Sequence, residues 1–95
     1  MLINKSSKEI VGFKLVSGEE VVAKIVEENS TDYIVSKPMT LIANQQGLGM
    51  MQSMMSMNTN SNVILKKSAV VFVTDIIPDM ENHYIETTSG IALAR

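Results

Sequence analysis

The sequence predicts an all-β fold, a barrel or a sandwich, ending in a short helix. Short runs rich in Val, Ile, Leu and Phe recur between clusters of turn residues, and no long segment before the C-terminus holds a helical period. The 95 residues amount to a single domain, 1–95. A chain this small buries only about 60 to 70% of the surface its unfolded form exposes, so association between copies is a natural source of further stability.

The elements follow in order. In IVGFKLVSGEEVVAKIVEEN, Val11, Phe13 and Leu15 alternate with small or charged neighbours. Beyond the SGE turn, Val21, Ala23 and Ile25 alternate against Val22, Lys24 and Val26, which makes a hairpin with one buried face. NSTD supplies a polar turn. YIVSKPMTLIAN is a third strand, and Pro38, with no N–H to give to a ladder, marks a bulge, a bend or an edge position. After NQQGLG comes a stretch holding Met50, Met51, Met54, Met55 and Met57, and NTNSN is a further turn cluster. VILKKSAVVFVTDII then divides into two apolar runs around Lys66, Lys67 and Ser68, a connection short enough for a tight turn in a small barrel. Pro78 suits a first helical turn, Asp79 and Glu81 complement the positive helix end, and Gly90 reads as a stop.

Composition narrows the function. An apolar fraction of 45% with two Tyr, two Phe and no Trp describes a core of Val, Ile, Leu and Met. The absence of cysteine removes disulfides, thiolate metal sites and a thiol nucleophile. No apolar run reaches the roughly 18 residues of a membrane helix, and MLINKSSKE lacks the apolar stretch of a secretory signal. The expectation is a soluble cytoplasmic protein with no membrane partner. A net charge of −2 gives no global basic field, so any contact with nucleic acid has to be local.

The spacing Leu15, Gly18, Val21, Ala23, Ile25 resembles the first motif of Sm-like (LSm and Hfq-type) proteins, L-x-x-G-x-x-V-x-G-x-L, with Ala23 where a second glycine is usual. Leu65, Lys66 and Lys67 with Val70 and Val73 resemble the second, in which an Ile-Arg-Gly or Tyr-Lys-His triplet precedes the last strand. Together the matches cover roughly half the chain and divide it into a first motif at 11–43, a variable Met-rich insert at 44–62, a second motif at 63–75 and a C-terminal helix at about 78–89. Departures accompany them: Asn29 followed by STDY stands where the family has Asp and then Met-Asn, Lys67 replaces a glycine or histidine, and the helix is C-terminal rather than N-terminal. The insert, DIIPD and YIETTSGIALA are similar to Sm-like proteins of marine phages, especially those of cyanobacteria, which would place the chain in the host cytoplasm.

The resemblance implies a small, strongly bent five-stranded barrel whose fourth strand pairs with the fifth strand of the next copy. An open barrel of that kind leaves two unpaired edges, and closing a ring of about five to seven protomers removes both. The expected interface holds Val70, Val71, Phe72 and Val73 on the last strand and Met51, Met54 and Met55 in the insert. The resemblance also gathers the Lys66–Lys67 turns around a shared pore, where their repeated charge suits single-stranded RNA; two solvated lysines in a tight turn is the plainer reading. Tyr33 is the one aromatic near enough to stack on a base, with packing in the third strand as its structural alternative, and Asn29 takes the place of the family's nucleotide loop.

Catalysis has little to stand on. The single histidine, His83, falls on the terminal helix as a surface residue, and the adjacent carboxylates Glu19/Glu20 and Glu27/Glu28 point to opposite faces of their strands. No phosphate loop, metal-ligand spacing or hydrolase elbow is present, so no cofactor, metal or small-molecule substrate is expected. The methionines compete between a copper(I) thioether array, a membrane or partner surface, and packing; with no His or Cys beside them, packing in an extended hairpin or against a neighbour is preferred, and their spacing also fits one helical turn. The function expected is a ring-forming Sm-like protein that binds single-stranded RNA weakly. The alternative is an oligomeric scaffold or protein-interaction module that has lost RNA specificity.

Overall fold

A computed structural model describes residues 9–93, with the backbone alone at 90–93. Six strands and one helix follow in order: β1 (Ile10–Leu15), β2 (Glu20–Glu28), β3 (Asp32–Asn44), β4 (Gly47–Gln52), β5 (Asn62–Lys66), β6 (Val70–Asp75) and α1 (Pro78–Leu93). All pairings are antiparallel, in the order β4-β3-β2-β1-β6, with β5 also on β3.

The all-β expectation with a C-terminal helix holds, and the expected strand count of five becomes six. The extra strand is the first half of the methionine stretch. Gly47, at φ +116°, turns the chain back, and β4 pairs along the far half of β3 with Leu41 opposite Met50 and Thr40 opposite Met51. The helical turn that the methionine spacing allows is absent from this half, because a ready-made strand edge offers its backbone groups a better set of partners than an isolated turn would.

Strand β3 serves two partners on one side by bending. Asp32–Ser36 pairs with β5 and Met39–Asn44 with β4. Between them Lys37 stands at φ 51°, and an extra residue on β3 opposes the span Val22–Lys24. This is the bulge or bend that Pro38 marks. A lysine in the left-handed region costs about 1–2 kcal/mol, so the site needs support from elsewhere. Tyr84 of α1 supplies it: its hydroxyl lies 3.0 Å from the Ser36 carbonyl oxygen and 2.9 Å from that of Lys37, donating to this pair. Lys37 Nζ in turn donates to the Thr59 carbonyl at 3.2 Å.

Two cores result, one on each face of β2. Val11, Phe13, Val21, Ala23 and Val35 fill the inside of the curved sheet, joined by Leu15, Ile25, Tyr33, Val63, Leu65 and Val70. On the outer face Val22, Met39 and Tyr84 are buried together with Ile10, Leu41, Met50 and Ile76 around them. The run Val21-Val22-Ala23 is buried throughout because α1 covers the side that a one-faced hairpin would leave wet. The helix continues past Gly90, the expected stop, to Leu93; glycine permits a helix end without imposing one.

Candidate nucleic-acid interface

The tight turn expected between the two apolar runs is a single 3-10 turn, Lys67–Ala69, joining β5 to β6. It also ties together two other connections. The Lys67 amide donates to the Thr31 carbonyl at 2.9 Å, and the Val16 amide donates to the Ala69 carbonyl at 2.8 Å. The β5–β6 turn therefore sits beside the β2–β3 turn, and this brings Lys66, Lys67, Tyr33 and Asn29 to one end of the sheet.

Each side chain there has work within the chain. The Asn29 carboxamide oxygen accepts from the amides of Thr31 at 2.9 Å and Asp32 at 2.8 Å, and from the Thr31 hydroxyl at 3.2 Å. This is an Asx turn that closes the β2–β3 hairpin. Lys67 Nζ lies 2.6 Å from Glu28 Oε2 and 5.1 Å from the centre of the Tyr33 ring. The Tyr33 ring meets that of Phe13 at 5.0 Å and 60°, a tilted aromatic pair at the rim of the inner core. Tyr33 thus takes its packing role, and a base could stack on it only after Lys67 moved aside. Lys66, with 68% of its side chain exposed, lies 3.3 Å from Asp32 Oδ1 without the alignment of a hydrogen bond.

The electrostatics follow. Two ammonium groups face two carboxylates, Glu28 and Asp32, so the four charges sum to zero around one turn. The Lys67 pair is short and charge-assisted, while the Lys66 pair joins an exposed ammonium to a carboxylate that is only 16% exposed, so Lys66 can leave it only by stripping Asp32 Oδ1 of its cation. What the turn offers a phosphate is one exposed lysine shared with Asp32 and one that must be released from Glu28.

The residues expected at an interface lie along two edges. On β6, Val70 packs on the inner core while Val71, Phe72 and Val73 are exposed, Phe72 by 65%. In the insert, Met51 is exposed on β4, and Met54 and Met55 stand on the connection that follows at 58% and 76% exposed. Packing within one chain therefore accounts for Met50 and not for these. Two features escaped the sequence reading. Ile64 is 62% exposed on β5, although the in-and-out order of Val63, Ile64 and Leu65 was there to show it. An apolar groove of about 580 Å³ runs on the outer face between β6 and the start of α1, lined by Val22, Leu41, Leu48, Phe72, Ile77 and Met80.

His83 is exposed on α1, Glu20 pairs with Lys14 at 3.8 Å, and Glu19 accepts from the Ser17 hydroxyl, so the paired carboxylates do not converge. Among the described residues no group of three or more His, Cys, Asp or Glu is arranged to hold a metal ion, and no helix is long and apolar enough to cross a membrane. No protein-family model matches the chain, and no curated protein matches it either.

Proposed function

We propose that this chain is an Sm-like module, of the kind carried by marine phages, that joins copies edge to edge into a ring of about five to seven protomers. In this reading the ring binds single-stranded RNA weakly at the Lys66–Lys67 turns. The observation that carries it is the match between the two free edges. With β5 of one protomer antiparallel to β6 of the next and Ile64 opposite Phe72, Val63 falls opposite Val73, Leu65 opposite Val71 and Asn62 opposite Thr74. Apolar meets apolar on both faces, and polar meets polar at the end. The RNA reading draws its support from the convergence of Lys66, Lys67 and Tyr33 on one turn, which a ring repeats around its opening.

A second reading, a scaffold without nucleic-acid affinity, is favoured by one observation: both lysines already hold carboxylates. Light scattering during gel filtration, followed by RNA titration at several salt concentrations, separates the two. The RNA reading expects affinity for homopolymeric single-stranded RNA that falls steeply with salt. It expects loss of binding in Lys66→Glu/Lys67→Glu with the ring intact, and tighter binding in Glu28→Gln, where Lys67 is freed. A ring that binds no RNA at low salt leaves the scaffold reading, and a monodisperse monomer of about 10 kDa removes both.

A further inference from the structure

We propose that the outer-face groove is a socket for the methionine connection of the adjoining protomer, with Met54 and Met55 of one copy seated against Ile77, Met80 and Phe72 of the next. The proposal rests on the edge pairing above and adds to it the residues that complete each contact.

The first reason is area. A five-residue strand is about 17 Å long and a sheet edge about 10 Å deep, so strand pairing alone covers on the order of 200 Å² of each partner. A stable interface covers roughly 800 Å² of each. Most of the contact has to come from somewhere beside the strands, and among the described residues the groove and the methionine connection both expose large apolar side chains, Phe72 and Ile77 in the one and Met54 and Met55 in the other.

The second reason is position. Continuing the register that sets Ile64 opposite Phe72, residues 61, 60 and 59 of one copy run beside Asp75, Ile76 and Ile77 of its neighbour. The connection between β4 and β5 therefore leaves the strand pair at the end of the groove where Ile77, 65% exposed, and Met80 stand. Two turns keep the connection folded rather than trailing: the Met57 amide reaches the Met54 carbonyl at 3.4 Å and the Ser61 amide the Asn58 carbonyl at 3.0 Å. Ser53 anchors it through its amide on the Pro38 carbonyl at 3.2 Å and its hydroxyl 2.9 Å from that of Thr40.

The third reason is chemistry. The groove mixes aliphatic side chains with a phenyl ring and a thioether, with Lys14, Glu20 and Asp75 also in its lining, a varied surface that unbranched, polarizable methionines fill without the accurate fit a branched side chain demands. Sulfur against the edge of Phe72 adds a favourable contact of its own.

Thioether oxidation tests this on the unaltered protein. In the single chain Met55 is more exposed than any other large apolar side chain among the described residues, while Met39 is buried. Under dilute peroxide, with peptide mass spectrometry as the readout, Met54 and Met55 of the assembled protein are expected to oxidise on the order of tenfold more slowly than the same peptides in the unfolded chain. The absence of cysteine allows a second measurement. Met55→Cys chains co-assembled with Ile77→Cys chains should give a disulfide-linked dimer of one of each on oxidation, with Ile64→Cys and Phe72→Cys chains as the matching pair for the strand contact. A ring that links through residues 64 and 72, while Met55 oxidises freely and does not link to residue 77, overturns the socket and leaves the ring standing. A monomer that links through neither pair overturns both.

Discussion

Gly12 is the position where one added methyl group tests the packing of the whole outer face. It lies in β1 between Val22 of β2 and Thr74 of β6, and it does not adopt a positive φ, so alanine costs nothing in backbone conformation. What it lacks is room. A Cβ built on Gly12 falls 2.8 Å from Cγ2 of Ile76, against the 3.5–4.0 Å of an ordinary carbon contact, so about 1 Å has to be found. Cγ2 is rooted on the branched Cβ of Ile76 and cannot swing aside without leaving its rotamer or moving the β6–α1 connection. Overpacking of this size costs about 1–3 kcal/mol, and removing a glycine from the unfolded chain returns about 0.4–1 kcal/mol. Gly12→Ala is therefore expected to destabilise by about 1–2 kcal/mol, a fall of roughly 5–10 °C in Tm for a chain of this length. Melting followed by circular dichroism at one fixed protein concentration measures it, since any association of copies would make Tm depend on concentration. Ile76→Ala removes Cγ2, so in the double variant the two losses should sum to about 1 kcal/mol less than the separate values. A Gly12→Ala protein as stable as the parent, or a strictly additive pair, would refute the close approach.

Two further outcomes follow from the bend in β3. Lys37 holds φ 51°, a conformation asparagine tolerates and β-branched residues resist, so Lys37→Val should lose about 2 kcal/mol more than Lys37→Asn in urea denaturation; equal losses would contradict the left-handed backbone there. Burial pushes the Tyr84 hydroxyl up to about 12 from its ordinary value near 10. Because the folded value is the higher one, the stabilisation is fully present below pH 10 and is lost as pH rises through 12. Its size is on the order of 2 kcal/mol, trimmed by the part-buried setting of the hydroxyl contacts. Tyr84→Phe should unfold more readily at neutral pH and show a flatter alkaline loss than the parent; parallel profiles would show that the phenol does not titrate with unfolding.

The sequence made most of the strands legible because their signals are local. Alternation placed β1 and β2, the SGE and NSTD clusters placed their turns, Pro38 marked the bend, and Pro78 with Asp79 and Glu81 opened the helix. Strand β4 was hidden, since Gly-Leu-Gly-Met-Met-Gln has little preference of its own and becomes a strand by pairing with β3. The same limit applied to the candidate site. Lys66, Lys67, Tyr33 and Asn29 were named from the sequence and do lie together, but the carboxylates that offset the two lysines do not lie near those lysines in the chain. Glu28 is 39 residues from Lys67, and nothing in the local pattern around either residue announces a contact across the inner end of the sheet.

The bond from Tyr84 to the Ser36 and Lys37 carbonyls spans 48 and 47 residues and comes from α1, the last of the described elements. During synthesis the bend in β3 is complete long before the residue that secures it has emerged, and β5, β6 and α1 are all still to come. Until then the outer surface of β2 is bare, and the nascent sheet offers unpaired strands to any neighbour on the same message. Such a fold is completed late, once α1 has been made, and the long sequence separations of its contacts make that step slow for its size. If copies of this chain do join through these edges, joining to a neighbour and finishing the fold become steps of one process.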